Sequence, residues 1–130
     1  MLIMKRVGEP LDGEWFHVAG RIEMGETAWQ AALRELEEET GLTPQKFYSA
    51  EICDQFYSHQ IDAIMLFPVF VAMIAEGDVV TLNEEHSEYK WVTKEEAEHH
   101  LPFPNQRHIL NRVWFDFVQN EPAPLLQIDF

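Results

Sequence analysis

The sequence predicts one α+β domain or a three-layer α/β/α sandwich. Three observations carry this. A chain of 130 residues suits a single domain, 1–130, with a sizeable core. Apolar residues make up 46%, which argues against disorder. The order of patterns runs strands, helix, strands, helices, with no internal repeat, low-complexity tract or linker.

The elements follow from local chemistry. Leu2 to Arg6 reads as a short strand, and Gly8 to Gly13 as a turn broken by Pro10 and Asp12-Gly13. Trp15 to Val18 is extended. Thr27 to Thr40 is a helix: Thr27 with Gln30 forms a capping-box pattern, and Gly41 suits the position just past its end. Phe47–Tyr57 and Ala63–Ala75 are strand-like, rich in aromatic and β-branched residues, and Glu88–Val92 is a shorter strand. Thr93 and Glu96 open a second capped helix to His100. In Asn105–Gln119, Ile109, Val113 and Phe117 recur at a spacing of four, as on one helix face. The tail from Glu121 holds two prolines and reads as irregular.

Charge narrows the partners. A net charge of -14 disfavours a nucleic-acid backbone or an anionic membrane. A small phosphorylated ligand remains compatible, because a bound cation inverts the local sign. The single cysteine, Cys53, cannot form an internal disulfide, which fits a reducing compartment such as the cytoplasm; it reads as a buried structural thiol. No signal peptide is evident. The longest apolar run, Ala63 to Ala75, contains Pro68 and is shorter than the ~18 residues of a membrane helix.

The stretch GRIEMGETAWQAALRELEEETGL, Gly20 to Leu42, holds six glutamates, four of them between Glu35 and Glu39. On a helix Glu35, Glu38 and Glu39 fall at i, i+3 and i+4 and share a face, where like charges repel. Trp29, Ala32, Leu33 and Leu36 lie on a neighbouring, core-facing side, and Glu37 points to solvent. Two readings stand: a solvated acidic face, or carboxylates gathered for a hard divalent cation, which takes oxygen ligands and shares them with phosphates.

The flanking residues distinguish the readings. Gly20, five residues, Glu26, seven residues, Arg34-Glu35-Leu36, one residue, Glu38-Glu39, one residue, Gly41-Leu42 matches the Nudix box at each specified position. The sequence therefore resembles a Nudix hydrolase. The resemblance implies an α/β/α sandwich with a mixed sheet and cleavage of a nucleoside diphosphate linked to another group. It implies Mg²⁺ or Mn²⁺ held by Glu35, Glu38 and Glu39, with one of them as a base, and a backbone carbonyl from Ala19 or Gly20. Arg34 would pair with Glu26 and orient the helix; Glu23 is a further acid near the site. The resemblance also implies a strand before the Lys5-Arg6 strand, which this sequence begins too late to hold: either the start is truncated, or another element or subunit completes the sheet. The exposed edge this implies would suit a homodimer.

The chemistry is intelligible without the name. Metal ions neutralise a phosphoanhydride, orient it and acidify a bound water, whose proton a nearby carboxylate accepts. Water then attacks phosphorus in line with the leaving phosphate. Some Nudix hydrolases draw an acid from outside the box. The stretch Glu85-His86-Ser87-Glu88-Tyr89-Lys90-Trp91 resembles their Glu-His-x-x-Tyr-x-Trp pattern and nominates Glu85, with His86 as a structural loop histidine.

The substrate is read from weaker signals. Val18-Ala19-Gly20 departs from the usual Pro-Gly-Gly, as in the group resembling dihydroneopterin triphosphate and dATP pyrophosphohydrolases. Phe103-Pro104-Asn105-Gln106-Arg107 points the same way. Together they favour a nucleoside or pterin triphosphate over ADP-ribose or a dinucleoside polyphosphate. Trp15, Phe16, Phe56 and Tyr57 are candidates to stack on a base, and Arg107 and His108 to meet phosphates; each also suits a core or surface role. Competing readings are a non-catalytic nucleotide-binding module, and an isomerase of the isopentenyl diphosphate type. The intact acids oppose the first. The lack of a cysteine other than Cys53 opposes the second.

Overall fold

A computed structural model describes residues 1–130. Strand β1 (Leu2–Arg6) lies between β2 (Trp15–Phe16) and β5 (His86–Trp91), and both ladders are antiparallel. A long antiparallel hairpin, β3 (Lys46–Ser58) with β4 (Ala63–Met73), forms the second sheet. The ladders are thus two antiparallel sheets rather than one mixed sheet, and β1 is paired on both sides. The extended stretch predicted to Val18 is a strand only at Trp15–Phe16.

Helix α1 (Ala28–Thr40) is framed as its sequence dictates. Thr27 accepts from the Gln30 amide, Gln30 bonds back to Thr27, and Gly41 ends the helix in the left-handed conformation at φ 70°. Leu36 anchors it in a core with Leu42 and Val80, against Leu2, Ala72 and Ile74. On the opposite side of the hairpin, Tyr48 and Ala50 pack on Phe117 and Val113. Phe117 lies in a π-helical turn, Phe115–Gln119, that extends α3 (Pro104–Trp114). Helix α2 (Lys94–His100) joins α3 through Ala97, Leu101 and Leu110. Helices therefore cover both sides of the strands, the expected α/β/α layering.

Two further expectations change. The tail is not wholly irregular: Pro124–Leu126 make a short 3₁₀ turn, Gln127 bridges Tyr48, and the Ile128 amide donates to Phe47 O at 2.8 Å. The tail thereby covers the inner part of the β3 edge. Cys53 is exposed, not buried. The ladder slips between Ser49 and Cys53, with Glu51 at φ 56°; beyond this bulge Cys53 lines an open groove beside α3, and the hairpin's outer end from Phe56 is exposed.

Candidate metal and substrate site

The predicted acid face separates on folding. Glu39 is 2% exposed, in the buried row of α1 with Ala31, Leu36 and Thr40. The Glu35 side chain is 16% exposed, whereas that of Glu38 is 55% exposed. Glu37 is exposed, as its helical position predicts.

Arg34 organises the surface of this cluster. Its guanidinium meets Glu26 at 2.7 Å, Glu35 at 2.9 Å, Glu38 at 3.0 Å and the Arg21 carbonyl at 2.8 Å. Glu26 also accepts from the Glu23 amide at 2.7 Å. The hydrogen bonds from Arg34 hold Glu26 below its ordinary carboxylate range. The expected Arg34–Glu26 pair is present and fastens the loop before α1 to the helix.

Glu39 has no such partner. Its Oε2 is buried without a hydrogen bond. Burial first, then the charges of Glu35 and Glu85, push its carboxyl up to about 8; Arg6 and a backbone hydrogen bond from Ala19 oppose the shift. Glu85 reaches this region because Val7 N–H donates to its carbonyl at 2.8 Å and Arg6 stands 3.7 Å from its carboxylate. His86 is a buried neighbour whose Nδ1 lies 3.2 Å from Asn83 Oδ1; burial and Arg6 lower its pKa.

Gly20 makes room for the cluster. A Cβ there would stand 1.9 Å from Glu35 Cδ and 2.1 Å from Oε1. A buried carboxylate oxygen without a partner, an all-oxygen donor set and this close approach of backbone to carboxylate together fit a hard divalent cation. As the side chains stand, no three His, Cys, Asp or Glu groups converge at metal-binding distance. Arg34 holds both Glu35, at 2.9 Å, and Glu38, at 3.0 Å.

The structure sorts the substrate candidates. Neighbouring strand residues face opposite ways, and Trp15 and Phe16 diverge accordingly. Trp15 packs on His100 at 5.4 Å with Lys90 Nζ 4.7 Å from its ring centre, so its contacts are internal. Phe16 meets Phe103 at 6.0 Å. Arg107 donates to the carbonyls of Leu101 and Pro102 at 2.9 and 3.3 Å, closing the turn between α2 and α3. His108 lines a shallow groove with Ile52, Cys53 and Asn105. Phe56 stacks on Phe67, and Tyr57 donates to Asp62 at 2.8 Å, both on the outer hairpin.

Sequence reasoning missed one polar group. Asn105, at the start of α3, donates its amide to the Asp54 carboxylate and to Gln55 O. His17, next to Phe16, lies close enough to Asp54 for its charge to raise the histidine pKa, but burial outweighs this and lowers it. Asp54 was the available signal: an acid inside an aromatic strand needs a partner.

The NUDIX domain profile matches residues 1–113. A Myxococcus xanthus octanoyltransferase is 34% identical over 108 residues, which are 78% of this chain and 29% of that protein. A bis(5'-nucleosyl)-tetraphosphatase [asymmetrical] from Caenorhabditis elegans is 32% identical over 85 residues, 64% of this chain and 61% of its own. The chain thus spans less than two thirds of either relative. The nucleoside triphosphatase NudI of Escherichia coli is 32% identical over 97 residues, 68% of this chain and 67% of that one. In fold, the chain is similar to a C. elegans Ap4A hydrolase binary complex, with TM-score 0.77, 22% identity, and coverage of 92% of this chain and 86% of the other. The profile spans most of the sequence, including the box from Gly20 to Leu42, and this chain belongs to the NUDIX domain family.

Proposed function

We propose that this chain is a divalent-metal-dependent pyrophosphohydrolase acting on a nucleoside or pterin triphosphate, releasing a monophosphate and pyrophosphate. The observation that carries the reading is the buried, unpartnered Glu39 oxygen among the charges of Glu35 and Glu85, beside Ala19. Glu35 and Glu39 would hold Mg²⁺ or Mn²⁺ with a backbone carbonyl of Ala19 or Gly20, and exposed Glu38 would join them on leaving Arg34. When bound, the cation supplies charge neutralisation and an acidified water. Glu85 is the base in this reading: its exposed carboxylate accepts the water proton as the water oxygen bonds to phosphorus. The bond to the departing pyrophosphate or monophosphate oxygen then breaks. Arg34 holds Glu26 and so keeps the Gly20–Glu26 loop on α1.

Phe16 and Phe103 would flank the base or pterin, with Asn105 and His17 at its polar edge. Trp15 and Arg107 would act indirectly, by supporting that wall through their internal contacts. The NudI relative favours a triphosphate, and the C. elegans tetraphosphatase supports a dinucleoside polyphosphate as the second reading. A cytoplasmic location and a homodimer belong to the proposal. No helix is long and apolar enough to cross a membrane.

A panel assay tests it: the four dNTPs, dihydroneopterin triphosphate, ADP-ribose and diadenosine tetraphosphate, each with Mg²⁺, analysed for pyrophosphate and monophosphate. Pyrophosphate from one triphosphate is the expected result. Turnover of ADP-ribose or the tetraphosphate alone would overturn the substrate choice. No turnover of any compound would favour a binding module.

A further inference from the structure

The outer β3–β4 hairpin exposes a contiguous set of large apolar side chains. Cross-strand partners share a face, so Tyr57 with Ile64, and Gln55 with Leu66, line one side of it. Tyr57, Ile64 and Leu66 are 61%, 70% and 61% exposed, and Ile61 at the tip is 63% exposed. The other side carries Asp54, Phe56, Met65 and Phe67, and there Asp54 is already tied to Asn105. The Tyr57 side has no helix over it and no third strand beside it.

We propose that this face, centred on Ile64 and Leu66, binds the same face of a second copy of the chain across a two-fold axis. Size is the first argument. The four side chains offer on the order of 500 Å², so two copies together would bury about 1,000 Å², the size that a specific interface reaches. Charge is the second. From Gln55 to Phe67 the only formal charge is Asp62, within a chain of net charge -14. Two copies repel each other over most surfaces and least here; a basic partner would seek the acidic helix instead. Geometry is the third. An antiparallel face can be laid on its own copy by a two-fold rotation, as an isologous contact requires. The dimer surface is therefore the outer hairpin, not an edge beside β1, which is paired on both sides. This deepens the homodimer reading and does not depend on the hydrolytic chemistry, because mass tests one and turnover the other.

Sedimentation equilibrium over a micromolar to submillimolar range tests it on the wild type, on Ile64→Lys/Leu66→Lys, and on Leu125→Lys as a control at an exposed site outside the hairpin. The wild type and the control are expected to be dimers. The hairpin variant, with an unchanged far-ultraviolet circular dichroism spectrum, is expected to dissociate at least tenfold more readily. A wild type that stays monomeric, or equal dissociation of all three, overturns the proposal. Should the hairpin variant misfold, amide exchange on the wild type decides: protection of residues 56–67 must rise with concentration, and concentration-independent exchange overturns the proposal.

Discussion

Replacing Glu39 by glutamine is expected to stabilise the metal-free protein at pH 8 and to abolish turnover. The folded carboxyl sits at about 8, above its ordinary value of 4.5. The folded state therefore holds the proton more tightly than the unfolded chain. Stability from this group is fully present below about pH 4.5 and is lost progressively as pH rises toward 8. Metal-free wild type should lose a few kcal/mol across that window. Glu39→Gln has no charge to bury and should show a flatter profile, with a higher Tm at pH 8. Turnover should fall by more than about a hundredfold, because even outer-shell partners of a metal contribute ~10–100-fold. Thermal melts at pH 5 and pH 8, paired with pyrophosphate release, check both halves. A variant less stable than wild type at pH 8 would mean that Glu39 is satisfied in the folded chain.

Gly20→Ala should separate activity from stability in another way. The added methyl falls within 1.9–2.2 Å of Glu35 Cδ, Oε1 and Cγ. These atoms are the far end of a flexible side chain, so Glu35 can swing aside while the backbone stays. The stability change should stay within about 1 kcal/mol. The carboxylate cannot keep its position, and kcat/KM should fall at least about tenfold, since small displacements at a reacting centre are costly. Chemical denaturation with steady-state kinetics measures both. A large stability loss would show that the loop and helix cannot yield at this contact. Unchanged kinetics would remove Glu35 from the site.

Much of this was legible because its causes are local. The cap Thr27–Gln30, the stop at Gly41 and the Arg34–Glu26 pair depend on residues within eight positions of one another. The acid spacing showed that carboxylates gather on α1. It did not show that Glu39 would be buried and Glu38 left in solvent, because that depends on what covers the helix. Arg107 offered a phosphate ligand in sequence, but its guanidinium meets the carbonyls at the end of α2. Cys53 followed an apolar strand pattern, but it lines an open groove beside α3 and stays exposed. The tail pairs with β3 some eighty residues away in sequence, and its prolines conceal that contact. The polar group at Asp54 was visible only as an acid in an aromatic run; its partners His17 and Asn105 come from distant segments.

Whether Glu39 holds the metal is decided by calorimetric titration of Mn²⁺ into wild type and Glu39→Gln at pH 7, in buffers of different ionisation enthalpy. A cation that binds Glu39 must displace the proton that burial holds there. Release of close to one proton per ion is expected from the wild type, and weaker binding without that release from the variant. Ion binding with no proton release, equal in both proteins, would contradict it.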